Sequence, residues 1–181
     1  MQLRKILGFA RETFLKILNL SNILQPKKGN LEISKIIFPL VIVLTQDCEL
    51  TQDYNYRKPL TQRPFQNKML LSVLVAPLYN ADHVFLGQHL SELGIVTDTI
   101  NKIKTAGKYL KDNERPRYHY LEFSEEIPIV PSIIDFKHYF SVNVEYLRKF
   151  KSSNFVCRVS ELYRENISIR FANYLSRIGL P

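Results

Sequence analysis

The chain has little of what most recognisable sites are built from. Its 181 residues include only six glycines, four histidines and two cysteines. No P-loop or dinucleotide-type glycine spacing occurs, which argues against a glycine-built nucleotide cradle. Cys48 and Cys157 form no CxxC pair and no disulfide framework, so a reducing, cytoplasmic setting is expected. No apolar run approaches the ~20 residues that cross a bilayer. Arg4, Lys5, Arg11, Glu12 and Lys16 interrupt any apolar leader, so the N-terminus does not read as a signal peptide. Internal repeats and low-complexity tracts are lacking too.

What is present is a globular composition, 45% apolar and 23% charged, with a net charge of +8. The charge is uneven. Residues 1–37 hold seven Lys/Arg against two Glu, and residues 148–181 again hold seven against two. The middle, 38–147, holds eleven cations against thirteen carboxylates. If the two ends meet in space, they form one basic patch for an anionic partner, an acidic protein or a nucleic acid.

Leu40–Leu44 is an unbroken apolar, β-branched run behind Pro39, and reads as a strand buried on both faces. It empties into a polar loop carrying Asp47, Cys48, Glu49 and Asp53. Met69–Leu78 is a second such run, ended by Pro77, and should pair beside the first. Tyr118–Phe123 and Ser132–Phe136 read as further strands. Helical spacing predicts an amphipathic helix over 2–20, short helices near His89–Leu93, after Thr97 and over Val142–Phe150, and a terminal helix capped by Ser160. The terminal helix should turn Tyr163, Ile167, Phe171, Tyr174, Leu175 and Ile178 inward. The expected class is mainly β with added helices (α+β), divided as a helix and hinge over 1–28 and a barrel domain over 29–181.

Several side chains have the right chemistry for a site. Cys48 is a nucleophile only if an imidazole serves it, and His119 is the best candidate. The like charges of Asp47, Glu49 and Asp53 favour instead a thiol packed at a strand end. The same carboxylates lack metal-ligand spacing, so neither a metal nor a cofactor is expected. Asp135-Phe-Lys137 matches half of a nuclease D-x-K signature, without an upstream acidic partner. Arg115, Arg117, Tyr118, His119 and Tyr120 mix cations with aromatics, the combination that holds phosphates and stacks bases. Asn166, Arg170, Asn173 and Arg177 form a polar stripe on the terminal helix, either phosphate-contacting or merely solvated.

Short motifs resemble the MazF/PemK family, SH3-like barrels that include mRNA endoribonucleases of toxin–antitoxin pairs. Gly29-Asn-Leu31, Pro39–Leu44, Leu74-Val-Ala-Pro-Leu78 and Ser132-Ile-Ile-Asp-Phe136 match that family's strands, and Arg158-Val-Ser to Gly179-Leu matches its closing helix. The resemblance implies a small SH3-like barrel, preceded here by the N-terminal helix. Where the ribonucleases carry an Arg before the first Pro and a Thr after the second, this chain has Phe38 and Leu78-Tyr79. Cleavage through a 2′,3′-cyclic phosphate needs a proton carrier and a cation, and neither inherited position supplies one. The Thr45–Leu50 loop and Arg177-Ile-Gly-Leu-Pro181 also resemble an uncharacterised bacterial family, which implies no activity.

The expectation is therefore a non-catalytic binding module, in a toxin–antitoxin or defence setting. Its basic ends would contact an acidic protein or a nucleic acid, RNA before DNA, and a homodimer is compatible with this. The binding candidates are Arg115, Arg117, Tyr118, Tyr120, Arg170 and Arg177. The rival is an endoribonuclease with relocated catalytic residues drawn from Arg115, Arg117, His119 and Cys48.

Overall fold

The structure, a computed structural model, describes residues 13–27, 30–57 and 66–177, with side chains from residue 36 onward. Its strands are β1 (Thr13–Lys27), β2 (Asn30–Val43), β3 (Ser72–Asn80), β4 (Tyr118–Leu121), β5 (Ser132–Asp135), β6 (Phe140–Asn143) and β7 (Phe155–Arg158). Its α-helices are α1 (Asp47–Arg57), α2 (Ala81–Phe85), α3 (Thr105–Lys111), α4 (Val144–Asn154) and α5 (Glu161–Leu175). The strands form one antiparallel sheet in the order β4-β5-β3-β2-β1-β7, with β6 also on β3. The class is α+β, as expected. The sheet is open rather than a closed barrel: β4 and β7 end the order and do not pair with each other.

The Leu40–Leu44 run explains the layering. Val41 and Val43 pack with Leu50 of α1 and with Val144 and Leu147 of α4. Ile42 and Leu44 point the other way, onto Ile167 and Phe171 of α5. Val41, Ile42 and Val43 are all fully buried. Alternation puts successive side chains on opposite faces, so a strand covered by helices on both sides must be apolar throughout. Each such side chain contributes about 1.5–3 kcal/mol.

Pro77 lies inside β3, opposite Val41, rather than at its end. Leu44 N donates to Leu74 O, so the even-numbered residues of β3 bond towards β2 and Pro77 faces the other edge. On that edge Val75 faces Phe140 and Leu78 faces Ile134, three steps along β3 against six along its neighbour. The surplus is the 3₁₀ turn Phe136–His138 between β5 and β6. The missing N–H of Pro77 therefore falls where no ladder bond is available.

Two other expectations are corrected. The helix expected over 2–20 is, from Thr13 on, strand β1, paired with β2 from Phe14↔Ile42 to Lys27↔Asn30; residues 1–12 lie outside the described residues. Phe14, Leu15, Ile17, Leu18 and Leu20 are dense enough to satisfy both periods, and the distant partner strand decides. The loop expected after Leu44 is helix α1, with acids in its first turn and Arg57 in its last, a charge order that suits the helix dipole. The expected boundary at 28/29 falls between β1 and β2, and neither 28 nor 29 is described. Gly179 and Ile178, expected at the end of α5, are likewise outside the described residues.

Candidate functional site

The carboxylates expected around a reactive loop are held in structural pairs. Asp53 is fully buried; its Oδ1 accepts from Arg57 Nε at 2.8 Å and Leu70 N at 2.7 Å, and its Oδ2 from Arg148 Nη2 at 2.5 Å. Arg57 also donates to Glu145 at 2.7 Å and to the Leu70 carbonyl at 2.6 Å. This hub ties α1 to α4 and to the segment leading into β3. Asp47 pairs with Arg158 at 2.9 Å and with Arg164, fixing the start of α1 to β7 and α5. Cys48 is exposed, and its thiol reaches Gln46 Oε1 at 3.5 Å.

His119 sits on β4 and is only 3% exposed, with the Phe136 ring 6.3 Å away. Burial, with Arg170 adding to it, lowers its pKa to about 4. An imidazole so enclosed is poorly placed to meet a substrate or the exposed Cys48. Arg117 forms a forked pair with Asp135, Nε to Oδ1 at 2.8 Å and Nη2 to Oδ2 at 2.5 Å, and lies over the Tyr118 ring. Asp135 is thereby an arginine partner, and also accepts from Lys137 N, rather than half of an open D-x-K site.

The terminal stripe is not uniformly solvated. Arg170 is half-buried and donates to the carbonyls of Arg115 and Tyr118, both at 2.9 Å, which pins α5 to the start of β4. Asn166, Asn173 and Arg177 are exposed. Of the expected inward side chains Ile167 and Phe171 are buried, whereas Tyr163 and Leu175 are exposed. β1 pairs with β7, Thr13 facing Arg158 and Leu15 facing Phe155, while Arg4, Lys5 and Arg11 lie outside the described residues. Four C-terminal cations, Arg148, Arg158, Arg164 and Arg170, are nevertheless engaged within the fold.

A different cationic surface is built around α3. Lys104, at its N-cap, and Lys108 and Lys111 are exposed, and no ion pair involves them among the described residues. The preceding loop is clamped on the helix: Asn101 Oδ1 accepts from Ile103 N and Lys104 N, and Gly107 lets the loop close in. A Cβ on Gly107 would come 2.3 Å from Asn101 O. Ile103 and Tyr109 stand exposed among the lysines. Leu110 anchors α3 beneath, in a core patch shared with Tyr118 and Tyr120. Asn113 holds β4 by two bonds to the Tyr120 backbone, at 2.6 and 3.1 Å. Arg115 follows on the same stretch, half-buried.

Beside β3 lies a largely apolar cleft of about 520 Å³, lined among others by Phe38, Pro39, Leu78, Tyr79, His83 and His89. The two positions where the MazF/PemK resemblance expects Arg and Thr thus converge on one cleft and carry Phe38 and Leu78-Tyr79. At its rim Tyr79 Oη meets His138 Nδ1 at 3.1 Å, and His138 Nδ1 lies 3.4 Å from Asp135 Oδ2. The His89 ring stands edge-on to Tyr79, centroids 4.9 Å apart. Burial raises the Tyr79 pKa, with the Asp135 charge adding to it. It also keeps His89 and His138 below their ordinary values, against the opposing pull of the Asp135 charge. Sequence reasoning passed over His89 and His138, which no close spacing joins; the one local signal was Asp135 three residues before His138.

Among the described residues, no helix is long and apolar enough to cross a membrane. Comparison with known proteins adds no relative: no family model, curated protein or solved structure matches the chain.

Proposed function

We propose that the protein is a non-catalytic binding module for a polyanion, RNA in the first place, contacted by the surface running from Lys104 through α3 to Arg115. One observation carries this reading: Lys108 and Lys111 on a seven-residue helix and Lys104 at its N-cap are exposed and in no ion pair among the described residues, interleaved with the exposed Ile103 and Tyr109. Lysines supply phosphate contacts, and an exposed ring supplies a stacking surface. The net charge of +8 adds long-range attraction, although most C-terminal arginines are engaged inside the fold. Tyr118 and Tyr120 lie under this surface and support it from the core side. The short motifs in β2, β3 and β5 support a distant kinship with MazF/PemK proteins at the level of those strands. Phe38 and Leu78-Tyr79 speak against their ribonuclease chemistry. Incubation of the purified chain with a long mRNA tests the proposal: a shifted but intact RNA agrees with it, and specific cuts contradict it.

A second reading has one observation in its favour. Tyr79 and His89 line the cleft where the two replaced catalytic positions converge, and His138 meets Tyr79 Oη. An endoribonuclease with relocated residues would draw on this group rather than on His119. Cuts abolished by His89→Ala and retained by His119→Leu would establish it.

A further inference from the structure

The group at the cleft rim has a feature that neither reading explains. Both ring nitrogens of His89 are buried without a hydrogen-bond partner among the described residues. A buried polar group left unmatched costs about 1–3 kcal/mol, so such an atom calls for a ligand. His89, Asp135 and His138 offer one ligand atom each, all within 4.8 Å of one another. His138 Nδ1 and Asp135 Oδ2, 3.4 Å apart, already stand near the ~3.3 Å that separates two ligands on a tetrahedral ion with bonds of ~2.0 Å.

We propose that His89, His138 and Asp135 form a binding site for a divalent transition metal, zinc being the best fit. Two imidazoles and one carboxylate suit zinc among the common ions, and three protein ligands leave a fourth position open. Asp135 and His138 are held at the end of β5 and in the 3₁₀ turn that follows. His89 sits on the turn after α2, not in a helix, so a side-chain rotation can close the remaining distance. That turn is itself fixed: Gly87 adopts φ +71° and its carbonyl accepts from Thr97 N. A Cβ on Gly87 would meet Thr97 O at 2.2 Å.

Arg117 is the counterweight, since its charge beside the carboxylate opposes a second cation. It also orients that carboxylate, the outer-shell role that ligating carboxylates usually require. Tyr79 Oη, 3.1 Å from His138 Nδ1, would turn away for that nitrogen to ligate.

The test uses the untagged full chain, stripped with a chelator and titrated with Zn²⁺ against a chromophoric competitor, and with Co²⁺ followed by its visible absorption. The site predicts one ion per chain and a Co²⁺ ligand-field band. His89→Ala and His138→Ala should each weaken Zn²⁺ at least tenfold, while His83→Ala, an exposed histidine of the same cleft, leaves it unchanged. Where His89→Ala alters the circular-dichroism spectrum, His89→Asn replaces it, with the same loss expected. Absence of binding, affinity that survives the His89 variant, or an equal loss in His83→Ala would overturn the proposal.

Discussion

Asp53 and Arg148, 95 residues apart in the chain, meet at 2.5 Å with the carboxylate fully buried. The sequence places Asp53 in a polar stretch that looks like solvent-exposed loop. The structure makes it the joint between α1 and α4. A buried carboxylate deprived of a partner is strongly destabilising, by about 3–5 kcal/mol. Arg148→Met should therefore lower the unfolding free energy by about 3–5 kcal/mol, read from the urea midpoint, and Asp53→Asn by a similar amount. A change within about 0.5 kcal/mol, the range of an ordinary surface substitution, would show the hub is not structural.

Arg170 and Arg177 look alike in sequence and should behave differently. Arg170 donates to two carbonyls that bind α5 to β4, and losing bonds from a charged donor costs about 1.5–3 kcal/mol. Arg170→Ala should lower the melting temperature, whereas Arg177→Ala, on the exposed end of the helix, should not. Equal melting temperatures for the two variants would contradict the assignment.

His119 gives the fold a pH dependence. Its folded pKa of about 4 lies below the 6.5 of a solvated histidine, so the unfolded chain binds the extra proton first. The stability it confers is complete above pH 6.5 and is lost as pH falls towards 4. Between pH 7 and pH 5 the loss should be about 2 kcal/mol. Urea unfolding at the two pH values checks this. His119→Leu should remove that part of the slope; an unchanged slope would mean His119 is not enclosed.

The two cysteines should separate by reactivity. Cys48 is exposed, while burial pushes the Cys157 thiol up to about 11. Alkylation near pH 8, followed by mass spectrometry, should label Cys48 well before Cys157, because the thiolate is the reacting form. Faster labelling of Cys157 would contradict its placement beside the α5 core.

What the sequence shows and what it hides follow from the range of the forces involved. The run Leu40–Leu44 announces its burial because both faces need apolar atoms, and its pairing with Met69–Leu78 follows from the same logic. The terminal helix is legible from Ile167 and Phe171. α1 is not, because Leu50 is its one buried apolar residue and a paired Asp53 does the rest. β1 is misread because its helical period is satisfied locally and its strand partner is distant. The cleft group escapes notice because His89 and His138 come together through the β3–β5 pairing and the fold of the turn after α2. Arg170 looks solvated because its acceptors are carbonyls, which carry no signature in sequence.

The most direct measurement of the central claim is the salt dependence of RNA binding by the surface from Lys104 to Arg115. Fluorescence anisotropy with a single-stranded RNA of about 20 nucleotides, at several salt concentrations, gives the slope of log K against log salt, about −0.7 per phosphate neutralised. Changing Lys104, Lys108 and Lys111 together to Glu should weaken binding at low salt and flatten that slope by about two units, with the melting temperature unchanged because all three side chains are exposed. An affinity that ignores salt, or a triple variant that binds RNA as the parent does, would contradict the account.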